Sequence, residues 1–215
     1  MNYKTLRDNC PAWPAYVNHA FVQQLGDGTL PKASFLHYLK QDYLFLIQFT
    51  RAFSLAVYKS DTFEQMRAGQ AGINAMLDTE INLHIDYCKT WGISEADIHN
   101  TPESAATVAY TRYVLDAGMT GTLAELYAAL APCMLGYAEI GKALSQLPTV
   151  ADNPYQAWID LYSGEAFQAT GRDSEAFMDG LFAETSAKQA QKLQRIFDTA
   201  TRMEVAFWQM GLELN

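Results

Sequence analysis

The sequence predicts an all-α fold. Three observations carry the prediction. Almost every segment repeats its apolar residues with a 3.6-residue period, and none shows a convincing strand alternation. Several periodic segments also exceed 20 residues between Gly or Pro breakers, which suggests a helical bundle rather than a packing of short helices.

The first helix is expected over 3–25, closed by Gly26-Asp27-Gly28 and Pro31. The second runs over 32–58 and the third over 62–91, from Ser60-Asp61 to Gly92. The fourth, 103–118, follows Thr101-Pro102-Glu103, with Pro at the first helical position, and stops at Gly118 and Gly121. The fifth, 122–146, ends before Pro148 and contains Pro132. A sixth is expected over 153–163 and a last one over 173–212, after Gly171-Arg172-Asp173. There is no internal repeat, no low-complexity segment and no Gly/Ser-rich tract, and only seven prolines, so residues 1–215 are expected to form one domain.

Composition narrows the function classes. The 49% hydrophobic and 18% charged content fits an ordered globular chain. A formal charge of −9 argues against nucleic acid or an anionic membrane as partner. The stretch from Met1 to Asp8 has no apolar core of a signal peptide. The longest apolar run, 128–138, is about half of the roughly 20 residues a membrane span needs. Cys10, Cys88 and Cys133 are odd in number and lack CxxC spacing, so they read as free thiols in a cytoplasmic protein.

Polar groups inside apolar stripes point to a site. In the second helix Asp42 interrupts the stripe Phe35, Tyr38, Leu39, Phe45, Leu46, Phe49, Phe53, with no Lys or Arg at i±3 or i±4. In the last helix Glu204 interrupts Leu193, Phe197, Ala200, Phe207, Trp208 in the same way. A buried carboxylate must find donors, a ligand or a proton. Each could instead cap a neighbouring helix or meet a distant Arg. In the third helix Glu80 and His84, at i and i+4, lie on the stripe Ile73, Leu77, Tyr87, Trp91. That is the spacing of a metal-binding face, but di-iron bundles need a second His-bearing helix, and no His follows His99. A Glu80–His84 hydrogen bond bracing the core is the preferred reading, so no metal and no cofactor is expected.

Cys133 follows Pro132 inside a helix, and a proline there removes a backbone hydrogen bond at a cost of about 3 kcal/mol. A thiol at such a break, facing a cavity, is a candidate nucleophile. Tyr137 lies one turn on, Tyr110 shares a face with Ala106, Tyr113 and Val114, and Tyr155 and Tyr162 flank Trp158. Phenols, two carboxylates and a thiol suit a flat, nitrogen-rich heteroaromatic ligand.

Five segments carry a resemblance: Phe35-x-x-Tyr38-x-x-Gln41-Asp42-Tyr43; Tyr110-Thr111-x-Tyr113; Pro132-Cys133-x-x-x-Tyr137-x-Glu139-Ile140-Gly141; Tyr155-x-x-Trp158-Ile159-x-x-Tyr162; and Glu204-x-x-Phe207-Trp208. In this order and spacing, over nearly the whole chain, they resemble the TenA (thiaminase II) family. The resemblance implies a haem-oxygenase-like helical fold without haem, assembled as a homotetramer. It implies hydrolysis of 4-amino-5-aminomethyl-2-methylpyrimidine to the hydroxymethylpyrimidine and ammonia, with cleavage of thiamin as a further activity. Under it Cys133 is the nucleophile, Glu204 the acid/base and Asp42 a ligand of the pyrimidine amidine edge, while Tyr110, Tyr137 and Tyr162 line the pocket. Many members carry a tyrosine three residues after the Asp; this chain has Phe45, so no hydroxyl acts there. Two other classes stay open: a metal-dependent oxygenase or oxidase using Glu80 and His84, and a non-catalytic pyrimidine-binding regulatory protein.

Overall fold

The computed structural model describes residues 1–148 and 150–215. No strand occurs among them. The helices are α1 (Tyr3–Asp8), α2 (Trp13–Val17), α3 (Ala20–Gly26), α4 (Lys32–Tyr58), α5 (Phe63–Asn74), α6 (Ile81–Thr90), α7 (Glu95–His99), α8 (Ala105–Thr120), α9 (Leu123–Ser145), α10 (Gln156–Ser163), α11 (Glu165–Ala183) and α12 (Ala187–Glu213). A π-helical turn, Ala75–Glu80, joins α5 to α6. The chain divides into two compact units: Met1–Leu30 with Tyr127–Trp208, and Pro31–Leu126 with Gln209–Asn215.

Several expected boundaries hold, and α4 spans its expected range. The segment 3–25 does not form one helix but three. Asn2 caps α1 by accepting from Thr5 N at 2.9 Å, and Pro14 sits in the first turn of α2, where its missing N–H is harmless. His19 Nδ1 accepts from Phe21 N at 3.2 Å and starts α3. The expected 173–212 helix is likewise two. Gly171-Arg172-Asp173 lies inside α11, and the break falls at 184–186, where Ser186 and Gln189 form a reciprocal capping box. The segment 62–91 stays helical throughout, but its π-helical turn takes an extra residue and shifts the register. Leu77, expected on the buried stripe, is consequently half exposed. Gly92, at φ +79, closes α6 in the left-handed conformation that suits glycine.

In the second unit α4 is the central element, packed by α5, α6, α7, α8 and the π-helical turn. Gly69 lies against Val57 and Gly72 against Phe53, so α5 approaches α4 where a Cβ would collide. Phe35 meets Tyr87 and Trp91 at 5.7 and 5.3 Å.

In the first unit stacked aromatic pairs fill the interior: Trp13 on Phe197 at 5.6 Å and Phe21 on Trp208 at 5.0 Å. The helix α9 continues without interruption through Pro132. Tyr16 O–H donates to the Pro132 carbonyl at 3.2 Å and so ties α2 to α9 at the proline. Gly136 lies flat against the Tyr16 ring, leaving no room for a Cβ.

Candidate functional site

The seven expected site residues fall into two sets. Asp42, Phe45 and Tyr110 belong to the second unit; Cys133, Tyr137, Tyr162 and Glu204 belong to the first.

Asp42 is buried in the α4 stripe at 4% exposure. Tyr38, one turn earlier, donates its hydroxyl to Asp42 Oδ2 at 3.1 Å. His84 Nε2 lies 2.8 Å from the same oxygen. The imidazole N–H is not aligned on that oxygen, so the contact is an ion pair rather than a linear hydrogen bond. The expected Glu80–His84 hydrogen bond runs through the Glu80 backbone, while the Nε2 edge of His84 faces Asp42. Burial pulls the His84 pKa down, but the Asp42 charge, its contact and the Glu80 groups outweigh it and leave it raised. Glu80 is pushed up to about 7, first by burial, partly offset by His84 and then reinforced by the Asp42 charge. Cys88 is buried nearby and pushed up to about 11 by burial, with the Asp42 charge adding to it; such a thiol holds its proton at neutral pH.

Phe45 and Tyr110 meet at 5.0 Å, and Phe45 also contacts Phe49 at 5.1 Å. The start of α8 is tied to α4 by the buried Gln41 amide. Its Nε2 donates to the Pro102 carbonyl at 2.9 Å, and its Oε1 accepts from Ser104 N at 2.9 Å and Thr107 Oγ1 at 2.7 Å. Ser104 in turn caps α8 by accepting from Thr107 N. The residue beside Asp42 thus sets the helix that carries Tyr110.

In the first unit Cys133 is half buried on α9, unlike the fully buried Cys10 and Cys88. Tyr137, one turn on, packs at 5.1 Å from Tyr162 and 5.3 Å from Trp208. Tyr162 also meets Trp158 at 4.4 Å and Phe167 at 4.8 Å. Glu204 precedes Trp208 by one turn of α12 and is 1% exposed. The Tyr137–Trp208 contact therefore sets the face of α9 that bears Cys133 against the face of α12 that bears Glu204. Gly141 completes this packing: a Cβ there would lie 2.5 Å from the Tyr162 carbonyl carbon. Glu139 is anchored elsewhere, taking Arg7 Nε and Nη2 at 2.8 Å each.

Sequence reasoning missed two members of the Asp42 cluster as its partners. Tyr38 was legible, at i−4 on the same stripe. His84 stood out as a polar residue in a stripe, but its pairing with α4 is tertiary. No group of three or more His, Cys, Asp or Glu side chains among the described residues is arranged to hold a metal ion. No helix among them is long and apolar enough to cross a membrane.

Comparison with known proteins agrees with the motifs. The model of the TENA/THI-4/PQQC family matches residues 7–214. An uncharacterised protein of Haemophilus influenzae is 53% identical over 205 residues, 95% of each chain. A protein of Halalkalibacterium halodurans described as an aminopyrimidine aminohydrolase is 38% identical over 94% of this chain and 90% of its own. A crystal structure from Silicibacter sp. TM1040, described as a TenA family transcription regulator, superposes with a TM-score of 0.92 at 45% identity, covering 98% of this chain and 96% of that one. A Shewanella denitrificans domain with a haem-oxygenase-like fold superposes with a TM-score of 0.76 at 9% identity, covering 100% of this chain and 93% of that one, and shows the fold alone.

Proposed function

The chain belongs to the TENA/THI-4/PQQC family, and from that premise we propose that it is an aminopyrimidine aminohydrolase. Its substrate would be 4-amino-5-aminomethyl-2-methylpyrimidine, hydrolysed to the hydroxymethylpyrimidine and ammonia, with thiamin as a second substrate cleaved at the same methylene. The observation that carries this reading is the 38% identity, over 94% of this chain, to a protein described as an aminopyrimidine aminohydrolase. The placement of Cys133 and Glu204 on facing helices of one unit supports it.

In the proposed mechanism the Cys133 thiolate adds to ring C6, forming a C–S bond and interrupting the aromatic ring. The ring electrons then expel the amine from the 5-methylene as ammonia (or the thiazole, from thiamin), with Glu204 supplying the proton. Water adds to the exposed methylene carbon and gives up a proton to Glu204. The C–S bond breaks, the thiolate leaves and the ring regains aromaticity. Asp42 accepts from the amidine edge, and Phe45, Tyr110, Tyr137 and Tyr162 hold the ring. Phe45 supplies shape without a hydroxyl, so Cys133 must lose its proton to another group.

Read as one family domain over 1–215, the protein would work as a homotetramer in the cytoplasm. The test is ammonia release from the aminomethylpyrimidine beside thiamin, with and without chelator. We expect turnover of the aminopyrimidine that is indifferent to chelator. A chelator-sensitive reaction would favour a metal enzyme instead. The description of the Silicibacter relative as a regulator favours one second reading, a pyrimidine-binding protein without catalysis. Tight binding of the hydroxymethylpyrimidine with no ammonia release would select it.

A further inference from the structure

The Asp42 cluster holds more than the proposed reaction uses. Both assigned contacts of Asp42 fall on one oxygen: Tyr38 donates to Oδ2 at 3.1 Å, and His84 Nε2 sits 2.8 Å from it. Neither contact involves Oδ1. A carboxylate offers about four lone-pair positions, and here those on one side are taken. The two side chains are 5% and 6% exposed.

Stability alone is a poor reason for such a pair. Removing two charges from water costs about as much as their attraction returns, and well-packed apolar residues often serve as well or better. The surrounding structure nevertheless favours it. His84 lies in the first turn of α6, which follows directly on the π-helical turn Ala75–Glu80, a distortion that recurs at functional sites, and the Glu80 backbone reaches its ring. The raised pKa of His84 agrees with a ring that keeps both protons beside Asp42.

We infer that His84 is a positioning residue for Asp42: its ion pair to Oδ2 fixes the carboxylate on α4 and leaves Oδ1 as the acceptor offered to the amino edge of an aminopyrimidine. The identity of the ligand rests on the function proposed above; the coupling of His84 to Asp42 does not.

The test is a double-mutant cycle on the full chain, with His84→Gln, Asp42→Asn and the combined variant assayed on the aminomethylpyrimidine. His84→Gln should raise KM about tenfold and leave kcat within about threefold, because it acts through a binding group. The combined variant should be no worse than Asp42→Asn alone, since one residue works through the other. Effects that simply add would overturn the inference. A second measurement needs neither turnover nor a folded His84 variant: 15N NMR of the histidine rings in ligand-free protein near pH 7. We expect one ring to be doubly protonated in the wild type and to lose that state in Asp42→Asn. A His84 ring that is neutral in both would sink the inference. If the wild type turns over no pyrimidine, the functional reading fails, and the ring measurement still decides the coupling.

Discussion

Asp42 Oδ2 and His84 Nε2 lie 2.8 Å apart, joining α4 to the helix that follows the π-helical turn. The carboxylate that interrupts the apolar stripe of α4 is therefore not the unpaired charge its own helix suggests. Its counter-charge comes from another interrupted stripe, and the two anomalies explain each other. Glu204 is buried as deeply as Asp42, and its proposed task differs: Asp42 is a fixed anion, Glu204 a group that exchanges protons.

Replacing Cys133 with serine removes the thiolate and little else. Ammonia release from the aminomethylpyrimidine is expected to fall about a thousandfold or more, while the Kd of the hydroxymethylpyrimidine changes by less than about threefold. Steady-state assay and calorimetry check the two halves. A serine variant with near-normal turnover would exclude the covalent route.

Glu204→Gln keeps shape and hydrogen-bonding capacity but cannot shuttle a proton. We expect kcat to fall by about 10²–10⁴ with KM little changed, the mark of a group acting in the transition state. A change confined to KM would make Glu204 a binding residue.

How much of this was legible follows from the reach of each signal. The α4 stripe from Phe35 to Phe53 has no internal Gly or Pro, so both its ends and the misplaced Asp42 could be read from local periodicity. The Glu204 stripe was as clear, and Leu193, Phe197, Ala200, Phe207 and Trp208 are all buried. The break before α12 was also within reach, since Ser186 and Gln189 have capping-box spacing, as do Ser94 and Asp97 at the unforeseen α7. The π-helical turn was not, because one extra residue in a turn leaves no compositional trace; Leu77 paid the register shift by turning outward. Nor was the partner of His84, since periodicity places a residue on a face and does not name what it faces.

Gln41 gives a structural prediction beside the chemical ones. Its single amide serves three buried or half-buried groups, on Pro102, Ser104 and Thr107. Gln41→Leu would fill the space and leave them without that partner, at an expected cost of about 2–4 kcal/mol. Urea unfolding measures the loss. Because α8 carries Tyr110, KM for the aminopyrimidine should rise in the folded variant as well. An unchanged unfolding midpoint would show that water replaces the amide.

The Glu80 carboxyl predicts how stability depends on pH. Burial first, then the Asp42 charge against an opposing His84, lifts its pKa from the ordinary 4.5 to about 7. The native state therefore holds a proton that the unfolded chain has already released. That contribution is complete below about pH 4.5 and is lost as pH rises through about 7. The raised His84 pKa acts with the same sign: its share is present below its unfolded value and declines as pH passes the raised folded one. Glu80→Gln removes the first contribution and keeps a neutral side chain of the same shape. Relative to the wild type, the variant should gain about 2–3 kcal/mol between pH 5 and pH 8. Urea titrations of both proteins at the two pH values give the difference directly. Parallel stability curves would show that Glu80 ionises in the native state as it does in the unfolded chain.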